Sequence, residues 1–140
     1  MISELDRESA VELLRSGRIG RLACIIDGEP YVVPISFVYD ADCALIHSLP
    51  GRKIEAMRAN PRVCLQVDEI ESELEWKSVL AYGTYEEISD YDERAAGIGR
   101  LLGRFPALTP VESQIACDAG APLPILFRIR VDKITGLFER

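Results

Sequence analysis

Two residues, Asp27-Gly28, stand between the run IGRLACII beginning at Ile19 and the run from Tyr31 to Tyr39. An Asp-Gly pair accepts the positive φ angles of the tight turn whose twist matches paired strands, so the two runs are predicted to form an antiparallel hairpin. The link is far too short for a crossover to a parallel neighbour. Later apolar runs repeat the pattern. Cys43 to Ser48, Arg62 to Ile70 (Val63, Leu65 and Val67 alternating with polar residues), Trp76 to Ile88 and Ile125 to Val131 each read as a strand. Six strands joined by hairpins and short excursions, with no regular βαβ unit, predict a mainly β chain built on an antiparallel sheet or barrel with flanking helices.

Three helices punctuate this plan. Asp6 to Ser16 places Ala10, Leu13 and Leu14 at helical spacing, with Asp6 as N-cap and Gly17 as stop. RKIEAMRAN, from Arg52, carries Ile54 and Met57 three apart and ends at Asn60-Pro61. Ser89 or Asp90 caps a third helix reaching about Gly103, which Gly97 and Gly99 weaken. Phe105 to Pro124 contains four prolines and reads as a loop with one helical turn near Val111 to Cys117, a lid or dimer arm. Gly136 is expected to turn the chain into a short final piece.

Pro34 interrupts the second strand. Proline cannot donate to a ladder, so that strand belongs at an edge, at a bulge, or beside a cavity. Gly83 marks a bulge or a close approach in a later strand.

The length of 140 residues suits one domain, residues 1–140, and 48% apolar with 28% charged residues is a globular balance. A net charge of −7 opposes nonspecific binding to nucleic acid or an anionic membrane, so any anionic ligand requires a local basic pocket. Cys24, Cys43, Cys64 and Cys117 are scattered, without CxxC spacing, which argues against a zinc site or disulfide framework. The acidic start MISELDRESAVELL is unlike a secretory signal, and a cytoplasmic location is expected.

Candidate chemistry concentrates in His47-Ser48-Leu49-Pro50-Gly51-Arg52-Lys53, where a strand end, a glycine and two cations meet a helix N-terminus. Free amides and the positive end of the helix dipole receive a phosphate there, which suits a mononucleotide. Spacing alone favours two solvated first-turn cations, but cations at a helix start cost about 0.3–1 kcal/mol each unless an anion compensates them. No GxGxxG, GxxxxGK[ST] or GxSxG is present, which disfavours dinucleotide binding of the Rossmann kind, P-loop hydrolysis and α/β-type serine hydrolysis. His47, the only histidine, reads first as a core residue, and Trp76 as either a stacking ring or a hydrophobic anchor. Glu69, Glu71, Glu73 and Glu75 read as a solvated acidic loop.

The blocks GRLACIIDGEPYVVPISFVYD, ALIHSLPGRKIEAMRANPRVCLQVDEI and WKSVLAYGTYEEI, in that order, resemble the pyridoxamine 5'-phosphate oxidase-like FMN-binding split barrels, specifically their nitroimidazole-resistance-type branch. The resemblance covers residues 6 to 90, with a weaker echo at Phe127 to Gly136. It implies a six-stranded antiparallel Greek-key split β-barrel, a homodimer, and FMN held at the subunit interface. It places Val33, Pro34, Ile35, Ser36 and Phe37 beside the flavin ring, His47 and Ser48 at the strand end, Arg52 and Lys53 on the phosphate, and Trp76, Lys77 and Ser78 near the flavin from the second subunit. The C-terminus, VDKITGLFER, lacks the basic residues with which true pyridoxamine phosphate oxidases hold substrate phosphate, so vitamin B6 oxidation is not implied. The expectation is an FMN-dependent oxidoreductase acting on a small molecule, with catalytic residues unassigned. The alternative is a non-catalytic carrier of flavin, deazaflavin or haem.

Overall fold

The computed structural model describes residues 1–105 and 124–140. Their order is β1 (Ile2–Glu4), α1 (Arg7–Ser16), β2 (Ile19–Ile26), β3 (Glu29–Ser36), β4 (Val38–Asp40), β5 (Cys43–Ser48), α2 (Arg52–Ala59), β6 (Arg62–Ser72), β7 (Glu75–Glu87), α3 (Tyr91–Arg104) and β8 (Ile125–Glu139). Among the described residues no helix is long and apolar enough to cross a membrane. The proline-rich stretch after Phe105, with its predicted helical turn, lies outside the described residues up to Pro124.

The strands form one antiparallel sheet in the order β3-β2-β6-β7-β8-β5-β4, with β1 paired to the far end of β8. The hairpin turns as its sequence requires, with φ of 53° at Asp27 and 79° at Gly28. The path is open, yet its two ends are consecutive in the chain: β3 and β4 are separated by Phe37 alone. One residue spans only a few ångströms, so the sheet has to curl until its edges meet end to end. Phe37 marks that corner. Its ring is fully buried and its N–H donates to the Arg18 carbonyl at 3.1 Å.

The described strands number eight rather than the six expected. The run from Tyr31 to Tyr39 breaks at Phe37, and β1 is recruited by β8, a pairing no local pattern announces. Gly136 does not turn the chain: β8 runs straight through it to Glu139. The glycine is there for proximity, since a Cβ would meet the Leu5 Cβ at 3.0 Å. The acidic stretch is a loop only at Glu73, which sits in the turn between β6 and β7. Glu69 and Glu71 belong to β6 and Glu75 to β7, with Glu69 opposite Lys77. Pro34 sits on β3, an edge strand, as its missing N–H demands. Gly83 lies at the bulge between β7 and β8, where a Cβ would collide with the Arg130 carbonyl.

Inside the curl, Leu22, Phe37, Ile46, Leu65, Val67, Val79, Phe127 and Ile129 pack with Leu14 of α1 and with Ile54 and Met57 of α2. Each such side chain contributes about 1.5–3 kcal/mol on burial. A second cluster, Leu45, Ile88, Leu101, Phe105 and Leu126, holds α3 against the opposite face of β5. The middle of β5, Ala44 to Ile46, is therefore buried on both sides and can carry no solvated residue. Both longer capped helices start as predicted: Asp6 accepts from the Ser9 N–H at 2.8 Å, and Asp90 from that of Glu93 at 3.0 Å.

Candidate functional site

Helix α2 begins without a side-chain cap: Gly51 occupies the cap position, and its open surroundings hold no atom within 4 Å of a would-be Cβ. Its first amides are thus left without a side-chain acceptor, the arrangement that receives an anion. They open onto a groove of about 680 Å³ lined by the hairpin residues Ile26, Asp27, Glu29, Pro30 and Tyr31 and by Ser48, Leu49, Gly51, Arg52 and Lys53. The structure thus brings Ser48, Arg52 and Lys53 together.

The two cations differ in character. Arg52 is exposed and its Nη2 donates to Asp27 Oδ2 at 2.6 Å, a surface ion pair. Lys53 is half-buried, and desolvation pulls its amine below the ordinary lysine range against the opposing influence of the Cys24 thiol. The Cys24 thiol is in turn pushed up by burial, with Lys53 opposing. A desolvated ammonium gains most from an anionic partner. The pocket is not simply basic, however: Asp27 and Glu29 line it as well. Asp27 reads in sequence only as a turn residue; its place opposite α2 is set by how β2 packs, which no local pattern encodes.

His47 does not line this groove. It is paired with Leu126 and lies one residue beyond Ile46, on the face β5 turns toward α3. Along β3, Val33 and Ile35 pack inward against the main core, whereas Pro34 and Ser36 face outward and Phe37 is enclosed. Pro34 pairs with Arg21, Arg21 pairs with Gln66, and all three share the outer face. A polar chain continues from there: Arg21 donates to Asp68 at 3.1 Å, and Gln66 donates to Asp68 at 3.0 Å and to Ser78 Oγ at 3.1 Å. Pro34 and Ser78 thus occupy one sheet surface, four strands wide. Neither Arg21 nor Gln66 carries a sequence signal, because cross-strand register alone joins them.

Trp76 and Lys77, at the start of β7, line a separate cavity of about 420 Å³ with Leu5, Asp6, Glu69 and Phe138, and Trp76, two residues before Ser78, shares its outer face. Trp76 Nε1 donates to Glu139 at 3.1 Å. Within one chain the predicted residues therefore fall apart: Ser48, Arg52 and Lys53 at the groove, Pro34, Ser36, Trp76 and Ser78 on the outer face, Val33, Ile35 and Phe37 toward the core, His47 on the α3 side of β5, and Lys77 in the cavity beside Trp76.

A family model described as pyridoxamine 5'-phosphate oxidase matches residues 6–137. An uncharacterized protein of Rhizobium meliloti (strain 1021) is 35% identical over 142 residues, covering 94% of this chain and 91% of the relative. The crystal structure of a FAD-binding protein from Mesorhizobium loti superposes with a TM-score of 0.74 at 37% identity, over 100% of this chain and 99% of that one. A protein from Bacteroides thetaiotaomicron named for proposed 5-nitroimidazole antibiotic resistance shares the fold, with a TM-score of 0.75 at 21% identity over 99% and 88% of the two chains.

Proposed function

The chain belongs to the pyridoxamine 5'-phosphate oxidase family, and on that premise we propose that it binds a flavin, FMN in the first instance, and works as an oxidoreductase on a small molecule. The observation that carries the reading is the uncapped start of α2, where Gly51, exposed Arg52 and half-buried Lys53 face a groove large enough for part of a nucleotide. The residues present suit a phosphate: amides, a guanidinium and a desolvated ammonium converge, and Ser48 adds a hydroxyl. Bound there, the flavin would supply hydride or single-electron transfer. The protein's part is to hold the phosphate at Arg52 and Lys53 and to present the edge strand β3, whose Pro34 leaves no backbone donor to compete for a ligand.

A homodimer belongs to the same reading. Trp76 and Lys77 do not reach the Lys53 groove within one chain, and the outer face of β2 and β3 exposes Ile25 and Val32, the latter 62% accessible. A second subunit would cover such a surface and add the remaining residues. A second choice of cofactor is favoured by the Mesorhizobium loti relative, which is FAD-binding and 37% identical over the whole chain.

Purified protein should be yellow, with the absorption bands of an oxidised flavin. Arg52→Ala combined with Lys53→Ala should lower flavin affinity at least about 100-fold, two charge-assisted contacts at about 1.5–3 kcal/mol each, while leaving the circular dichroism intact. Colourless protein that takes up neither FMN nor FAD refutes the reading.

A further inference from the structure

Arg52, whose guanidinium the flavin reading gives to the phosphate, already has a partner. Its Nη2 donates to Asp27 Oδ2 at 2.6 Å, and both residues line the groove, so an anion arriving at α2 meets a carboxylate on the same cation. Ser48 is engaged in a similar way, its hydroxyl donating to the Leu49 carbonyl at 3.1 Å. We propose that Asp27 is a specificity-determining residue: it keeps Arg52 from small free anions and releases it only to a phosphate whose attached ring makes contacts of its own. The inference rests on the flavin reading and adds a means of selection to that site.

Two anions on one guanidinium repel each other, so Arg52 exchanges the carboxylate for the phosphate rather than holding both. For a free anion the exchange is close to even, because one charge-assisted bond replaces another. Asp27 also has the advantage of its tether. A carboxylate fixed on the hairpin faces Arg52 at an effective concentration in the millimolar range or above, against which a dissolved anion has only its own concentration. A flavin brings more than charge: Ile26, Pro30, Tyr31 and Leu49 give the groove an apolar side, and contact between them and the ring offsets the loss of the ion pair. Exposure sets the magnitude. The side chains of Arg52 and Asp27 are 75% and 80% accessible, so the pair is worth a few-fold in affinity, enough to bias the competition and too little to shut the site. Asp27 differs in this from Glu29, which lines the same groove and whose carboxylate makes no ion pair among the described residues.

The test is fluorescence titration, at fixed ionic strength, of the flavin-stripped protein and its variants with FMN and with riboflavin, which has the ring and no phosphate. Asp27→Asn removes the charge and keeps the turn, since asparagine accepts the φ of 53° found there. It should tighten FMN at least about threefold and leave riboflavin unchanged, and inorganic phosphate should compete with FMN at least about threefold better than in wild type. Glu29→Gln removes a groove carboxylate that is not bonded to Arg52 and should change FMN affinity by less than about twofold. In an Arg52→Ala background the gain from Asp27→Asn should be lost. Unchanged or weaker FMN binding in Asp27→Asn, an equal gain for riboflavin or from Glu29→Gln, or a gain that persists in Arg52→Ala overturns the inference alone. Protein that takes up no flavin, in wild type and variants alike, overturns the flavin reading and this inference with it.

Discussion

Replacing Arg104 by alanine would remove a clasp that joins two helices distant in sequence. Arg104, the last residue of α3, donates from Nη1 to the Arg15 carbonyl at 3.2 Å, and from Nη2 to those of Ser16 at 2.9 Å and Gly17 at 3.0 Å. These are carbonyls that the end of α1 leaves without helical partners. In return Arg18 Nη2 donates to the Arg104 carbonyl at 2.7 Å, and its guanidinium stacks 4.8 Å over the Phe105 ring. Two of the three bonds from Arg104 are exposed and water replaces them at a loss of about 0.5 kcal/mol each, while the part-buried bond to Gly17 is worth about 1.5 kcal/mol. Loss of a cation near helix C-termini adds about 0.5 kcal/mol. The total is about 3 kcal/mol. With an unfolding entropy of about 0.3 kcal/mol per kelvin for 140 residues, Tm should fall by about 10 °C. Arg104→Lys keeps the charge and one bond and should recover about half of the loss, because an ammonium cannot span three carbonyls as the planar fork does. Thermal and urea melts of the three proteins give the comparison. A loss below about 1 kcal/mol, or full recovery by lysine, refutes the clasp.

Two further outcomes follow from the sheet. Glu86 accepts from Arg130 and Arg128 across β7 and β8, and these bonds, Arg130 first, hold its pKa down at about 2 against an ordinary 4.5. A depressed carboxylate stabilises the fold above its unfolded pKa, so that stability is present above pH about 4.5 and is lost as pH falls toward about 2. The side chain is 39% exposed, and screening limits the effect to about 1 kcal/mol. Urea midpoints of wild type and Glu86→Gln should therefore differ at pH 6 and draw together as pH falls from about 4.5 toward 2; a constant difference would exclude the linkage. Gly83→Ala should cost about 3 kcal/mol, since its methyl would press on the Arg130 carbonyl and on Ile129 Cγ2 at 2.7 Å, and a backbone oxygen in a ladder cannot yield. Gly103→Ala, on an open face of α3, is the control and should be neutral or slightly stabilising in the same melts.

Local information was sufficient wherever a residue's own chemistry dictates backbone geometry. Asp27-Gly28 demanded a tight hairpin turn, Pro34 limited its strand to an edge, a bulge or the side of a cavity, of which the sheet uses the edge, Asn60-Pro61 demanded a helix end, and Asp6 and Asp90 capped the helices expected of them. The cation pair at Arg52-Lys53 was visible because charge at a helix start is unfavourable without an anion. Tertiary structure decided the rest. Gly136 looks like a turn in sequence and is a site of close packing against Leu5; β1 is a strand only because β8 offers it an edge; and Glu69, Glu71 and Glu75 are in hairpin arms because the β6–β7 ladder extends that far, leaving Glu73 in the turn. The same holds for the site. Asp27 faces Arg52 across 25 residues of chain, and Ser78 reaches the surface of Pro34 through Arg21, Asp68 and Gln66, connections made by strand register and by the curl that brings the sheet's edges together at Phe37. A turn, a cap or a proline is settled within a few residues by sterics and hydrogen bonding, whereas proximity between remote segments is settled only when burial of the common core selects one register and one curvature for the whole sheet.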